Sequence, residues 1–230
     1  SRYDWLHLHH EDFTGQYGKF YRGYHNAEWY IKQQILFEEI AAKLGYGKVS
    51  EQKKAVAGMI REYVRGGGFL FAMCSACDTF DIAMAARGID IAPRQYDHDG
   101  TTAGAQAKLD YSRCLAFENF RLEMNPMVYE FSDIDMTMAA AARGEGNDWF
   151  TLFEFSAKHD PVPTMLVQNH VSVVEGFMGQ TTSFRKSLLK KKVLVLGEVK
   201  GGNEARYIHG NFGKGTFTFF GGHDPEAYQH

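Results

Sequence analysis

At 230 residues, with 44% hydrophobic and 14% aromatic content, the chain carries enough apolar side chain to close one α/β domain of ordinary large size. Its 25 basic and 28 acidic residues give a net charge of -3 with no strongly basic segment, which excludes a nucleic-acid surface and points to small-molecule chemistry or a protein partner. No apolar run approaches the roughly 20 residues of a membrane span, and cysteines only at 74, 77 and 114 are an odd set that favours a reducing, cytoplasmic setting over a disulfide framework.

Tyr3 to Leu8 alternates as a strand does and delivers His9, His10, Glu11 and Asp12 at its carboxyl end. Ser1 is not an initiator Met, so an upstream segment is expected to precede this run; a signal peptide on it is compatible with the sequence, while the cysteine usage favours the cytoplasm. A Gly- and aromatic-rich loop follows from Gly15 to Asn26. Ile31, Ile35, Leu36, Ile40 and Leu44 then keep helical spacing between Asn26 as a cap and Gly45 as a stop. Ser50 is positioned to cap a second helix, with Val56, Met59, Ile60, Tyr63 and Val64 on one face and Gly66-Gly67-Gly68 at its end. Phe69 to Met73 is a continuous apolar run of the kind found in a strand buried on both faces. Asp78 to Arg87 reads as a helix closing at Gly88.

Cys74 and Cys77 therefore stand where a central strand turns into a helix, the edge at which open parallel sheets bind ligands. Further on, Pro93 to Gly104 and Ala139 to Asn147 read as loops, Phe150 to Phe155 and Thr164 to Gln168 as strands, and Gln180 to Leu189 as a short helix. Val193 to Val199 has central-strand character, and Arg206 to His209 with Thr216 to Phe220 flank a turn as a hairpin. The segment GGHDPEAY, Gly221 to Tyr228, then releases His223 at a strand end.

A cysteine nucleophile needs a lowered pKa, a nearby base and N–H groups for the oxyanion. Cys74 suits this better than Cys77, because a tight strand-helix turn aims the N–H of the next residue, Ser75, at a helix mouth whose dipole favours thiolate. His223 is the candidate base, with Glu226 or Asp224 to orient its ring. His7, His9, His10 and Glu11 form a dense donor cluster that lines a polar pocket or, through His7, His9 and His223, holds a divalent metal. No other cofactor is expected. Asp133 and Asp135 serve either a turn or the site, and the C-x-x-C spacing at a βα junction also matches a redox pair, without the usual flanking Trp or Pro. The aromatic loop from Phe13 to Tyr24 reads as packing, a lid or a sugar-stacking surface.

The stretch GGGFLFAMCSA, Gly66 to Ala76, resembles the nucleophile elbow of the class I glutamine amidotransferase-like superfamily. The tail from Ala205 to Tyr228 is similar to the closing hairpin and Gly-His of its ThuA-like branch, and NPMVYEFSDID, Asn125 to Asp135, to that branch's paired acidic segment. Over essentially all 230 residues the chain resembles Bacteroidetes-type proteins labelled asparagine synthetase B, relatives with a further amino-terminal βα portion and a short carboxyl tail. The resemblance implies one domain over 1–230 lacking that βα portion, built as a three-layer flavodoxin-like α/β fold with a mainly parallel sheet, a C-terminal hairpin and a pocket above Cys74. It implies amide or acyl hydrolysis or transfer on a small-molecule substrate, with thiolate attack by Cys74, the oxyanion on the Ser75 N–H and proton shuttling by His223. A homo-oligomer is compatible with it; nucleic acid and membrane are not expected as partners.

The pattern also departs from that family. Ala72 and Ala76 stand where the amidotransferase elbow carries glycines, which predicts a looser turn, and the family's His-x-Glu is one residue longer here, His223-Asp224-Pro225-Glu226. The amino-terminal cysteine and phosphate loop of a glutamine-dependent asparagine synthetase are absent from the sequence, so only amide handling follows from the label. Two alternatives stand beside the first reading. One is a ThuA-like carbohydrate-processing or sugar-binding domain with a pocket of His9, His10, Glu11 and His223 and an incidental Cys74; the other is a non-catalytic binding protein on the same fold.

Overall fold

The computed structural model describes residues 3–144, 146–152, 173–176 and 179–222. In chain order the regular elements are β1 (Trp5–His9), α1 (Tyr21–Tyr24), α2 (Glu28–Lys43), α3 (Val49–Arg65), β2 (Phe69–Met73), α4 (Ser75–Ala85), α5 (Arg94–Asp97), α6 (Thr137–Arg143), β3 (Trp149–Leu152), β4 (Val173–Glu175), β5 (Phe184–Arg185), β6 (Leu194–Glu198), β7 (Glu204–Phe212) and β8 (Gly215–Phe220).

β1, β2 and β8 pair in parallel, with Leu6 opposite Leu70 and Phe217, and Leu8 opposite Ala72 and Phe219. Those side chains point to one face and meet Ala57 and Val64 of α3 and Phe80 and Ala83 of α4 in the main core. The period of two in WLHLH puts Trp5, His7 and His9 on the other face, where all three are exposed. Gly215 must be glycine, because a Cβ there would lie 2.2 Å from the Val64 carbonyl and 2.3 Å from that of Gly68, where the hairpin crosses the end of α3.

The expected three-layer flavodoxin-like sheet is not what forms. The strand order is β1-β2-β8-β7-β6-β3-β4, with β5 on β7, and every pairing beyond β8 is antiparallel. The result is a mixed sheet that curls into a half-barrel. Within it the β6-β7 pairing is interrupted by register shifts on either side of Gly197. The β7-β8 hairpin is therefore the junction between a short parallel half and a longer antiparallel half, rather than an appendix to a parallel sheet.

Several local expectations are corrected as well. α2 starts after Ala27 rather than from an Asn26 cap, and α3 starts after Lys48, with Ser50 inside its first turn. Residues 180–189 hold β5 and a 3-10 turn, Lys186–Leu188, instead of a helix, while α6 occupies part of a segment expected to be loop. The strand expected from Thr164 to Gln168 lies outside the described residues.

Candidate functional site

Phe69 to Met73 can be a strand because its apolar side chains are covered on one face by α4 and α3, and the next residue must reverse the chain to let α4 return across that face. That residue is Cys74, whose φ of 56° and ψ of -141° lie in a region L-residues rarely enter. Its N–H donates to the Phe220 carbonyl at 3.2 Å, and the N–H of Cys77 donates to the Cys74 carbonyl at 3.1 Å, so both neighbours hold the strained turn in place. Ala72 ends in a strand and Ala76 in a helix, neither at positive φ. The strain sits on the cysteine itself, and the looser turn expected from the missing glycines does not form.

A four-residue cover, Gly179 to Thr182, lies over this thiol. Cys74 Sγ donates to the Gln180 carbonyl at 2.9 Å, while the Gln180 side-chain amide donates to the carbonyls of Tyr129 at 2.9 Å and Gly18 at 3.1 Å. Thr181 has φ of 57°, unusual for a β-branched residue; its N–H donates to Asp135 Oδ2 at 3.0 Å and its hydroxyl to Asp78 Oδ1 at 2.9 Å. Behind the cover, Arg206 is fully buried, donates to the Thr182 carbonyl at 2.8 Å and pairs with Asp148. Arg143 joins Asp148 to Glu204, which accepts from the Ser183 hydroxyl at 2.8 Å. The cover is thus pinned from both sides.

Asp78, one helical turn beyond Cys74, was not singled out from the sequence. Burial raises its pKa well above the usual carboxylate range, the neighbouring Asp135 adds to this, and Oδ2 finds no hydrogen-bond partner among the described residues. Asp135, also buried, is raised to about 6 by burial, held down by the N–H and hydroxyl of Thr137 at 2.7 and 2.5 Å. Asp81, one turn further on, makes the contrast: its carboxylate accepts the N–H groups of Leu115, Ala116 and Phe117 at 2.7 to 2.8 Å, the arrangement of a structural anchor. The signal for Asp78 was available, a carboxylate four residues after the cysteine inside an apolar run.

Burial pushes the Cys74 thiol up to about 12, opposed by the N–H and hydroxyl of Ser75 and reinforced by Asp78 and Asp135. The resting cysteine is a protonated, covered thiol, in place of the low-pKa thiolate expected for a nucleophile. Cys77 and Cys114 are also free and buried, with Cys77 Sγ on the Ala72 carbonyl at 3.2 Å, so the C-x-x-C pair is not bonded.

The remaining sequence candidates separate. Asp135 joins the thiol cluster, whereas Asp133 turns to the surface and fixes a turn by accepting the Arg121 N–H at 2.7 Å. His7, His9 and His10 are exposed; His7 lies 3.4 Å from Met73 Sδ, and the His9 and His10 rings are 3.9 Å apart. Their donor atoms do not converge with Glu11 on a common point; among the described residues the acidic group that does, Asp90, Asp97 and Asp99, surrounds the Lys48 ammonium. Glu11 lines a cavity of about 180 Å³ with His10, Tyr17, Phe37 and Lys53. His223 and Glu226 lie outside the described residues, whose last member on that side, Gly222, donates to the Thr181 carbonyl at 3.0 Å.

Among the described residues no helix is long and apolar enough to cross a membrane. No family model and no curated protein matches the chain. Among solved structures it is similar to a cytoplasmic protein from Salmonella typhimurium, at 11% identity and a TM-score of 0.36, with 96% of this chain covered and the chain spanning 61% of the length of that one.

Proposed function

We propose that the chain is a cysteine-dependent hydrolase or transferase of amides and related acyl compounds, with Cys74 as the nucleophile. The observation that carries this is the backbone of Cys74 at φ 56° and ψ -141° on a strand-to-helix turn, with Ser75 next to its sulfur. Such strain persists only where surrounding structure enforces it, and it clusters at reacting groups. The amidotransferase-like reading is thereby retained for the elbow and not for the sheet.

In this reading a substrate carbonyl displaces the Gln180 carbonyl from the thiol. The sulfur bonds to the carbonyl carbon, its proton passes to the Asp78 carboxylate, and the Ser75 N–H holds the oxyanion. Collapse breaks the C–N bond, the amine leaves with that proton, and water or an acceptor amine then cleaves the thioester and restores the thiol. Once deprotonated, the Asp78 carboxylate is a stronger base than an ordinary aspartate because its pKa is raised, so this role is filled as pH rises through its titration. His223, oriented by Glu226, is the other candidate for that proton, since the segment leading to it bonds to Thr181. Ammonia release across a panel of amides tests the reading: loss in Cys74→Ala supports it, and loss in Asp78→Asn but not His223→Ala assigns the base. Turnover unchanged in Cys74→Ala rules it out.

One observation favours the carbohydrate reading instead. Glu11 and Tyr17 are among the residues lining a small cavity, the buried Glu11 Oε2 and Tyr17 hydroxyl have no partners among the described residues, and His10, Tyr17 and Lys19 hold positive φ there. The cavity's 180 Å³ is below a drug-sized pocket and suits a single sugar ring. Saturation-transfer NMR with glucose, retained in Cys74→Ala and lost in Glu11→Gln, would select that reading.

A further inference from the structure

α2 buries Tyr30 and Ala41 against the body and leaves the opposite side uncovered. Ile31, Ile35, Leu36 and Ile40 are 43%, 51%, 50% and 38% exposed, and Leu44 at the helix end is 60% exposed. At 3.6 residues per turn, Glu28, Lys32, Glu39 and Lys43 run down the middle of that face, with Ile31 and Ile35 on one flank and Leu36 and Ile40 on the other. At the start of α2, the exposed Tyr24 and Trp29 rings pack against each other at 5.1 Å between centroids and extend the apolar area. An exposed patch of this kind on one helix marks an interaction surface.

The charges identify the occupant. An isologous contact requires a surface to be its own complement under a twofold axis. Setting two α2 helices antiparallel about an axis between Ile35 and Leu36 brings Glu28 opposite Lys43 of the second copy and Lys32 opposite Glu39, each pair occurring twice. The same register gathers Ile35 and Leu36 of both copies around the axis and brings Leu44 to the Trp29 end of the other helix. No like-charged pair is opposed. A parallel arrangement would place each charge against its own kind. Glu28 and Lys32 already pair along the helix at 2.5 Å, exposed on both sides, so both charges are oriented on the open face.

We propose that the face of α2 bearing Ile35 and Leu36 is the dimer interface of this protein, formed with a second copy in antiparallel register. It is independent of the reaction assigned to Cys74. The test is sedimentation velocity across a micromolar concentration series on the wild-type chain and three variants. The expected result is a dimer, reduced to monomer by Ile35→Glu, weakened at least tenfold by Lys32→Glu and restored by Lys32→Glu combined with Glu39→Lys, all with unchanged far-UV circular dichroism. A wild-type monomer throughout the series, as when another protein or another part of a longer chain covers α2, overturns the proposal. So does a dimer indifferent to Ile35→Glu, or a double variant no better than the single one.

Discussion

The thiol of Cys74 and the carbonyl of Gln180 are joined at 2.9 Å, so the most strained residue of the strand-helix turn is held closed by a main-chain oxygen of the loop above it. The thiol is thus kept protonated by burial, with no neighbouring cation among the causes that set its pKa. Its reactivity depends on moving the cover.

Gln180 holds that cover through its side-chain bonds to Gly18 and Tyr129. Gln180→Ala should therefore raise the rate of Cys74 alkylation by iodoacetamide at least tenfold and leave Cys77 and Cys114 unchanged, as read by peptide mass spectrometry. Equal acceleration at all three cysteines would mean general loosening instead.

The positive φ of Cys74 is a strain that glycine relieves and alanine does not. Cys74→Gly is expected to be more stable than Cys74→Ala by about 1–2 kcal/mol in urea denaturation. An alanine variant as stable as the glycine one would show that the turn is relaxed.

Asp78 and Asp135 titrate above the usual carboxylate range in the folded chain, Asp135 at about 6. The folded state then binds more protons than the unfolded one, so their contribution to stability is complete below about pH 4 and is lost as pH rises through 6 and beyond. Asp78→Asn removes part of this dependence. Relative to wild type it should gain about 1–3 kcal/mol on going from pH 4 to pH 8. Parallel stability profiles for the two chains would contradict the assignment.

Arg206 is wholly buried, pairs with Asp148 and donates to Thr182. Removing one partner of a buried pair strands the other, so Arg206→Met should destabilise by about 3–5 kcal/mol, with its melting transition shifted far more than that of Arg65→Ala, which removes an exposed pair with Glu62. Similar small shifts for both would show that the network is dispensable.

Helical spacing and continuous apolar runs made several local elements readable, although on α2 the apolar stripe that marks the helix, Ile31, Ile35, Leu36, Ile40 and Leu44, faces outward rather than into the core. The helical spacing of residues 31–44 and 56–64 and the apolar run of 69–73 correspond to α2, α3 and β2. Strand direction was not readable, because an apolar run such as Val193 to Val199 has the same pattern in parallel and antiparallel pairs; its antiparallel place beside β7 follows from the short turn between Glu198 and Glu204 that joins the two strands. Cys74 was legible from its place after a strand, but its burial was not, since the cover comes from residues 179–182, more than a hundred positions away. Asp135 reached the site through that same long-range loop, while its neighbour Asp133, identical in type, went to a surface turn.

The most direct test of the nucleophile is acyl trapping. The wild-type chain and Gln180→Ala are exposed to p-nitrophenyl acetate, quenched in acid and mapped by peptide mass spectrometry, with p-nitrophenol followed in parallel. The account predicts a burst of p-nitrophenol and an acetyl group on Cys74, faster in Gln180→Ala and absent in Cys74→Ala. No acetylation of Cys74 above that of Cys77 and Cys114 in either chain would contradict it.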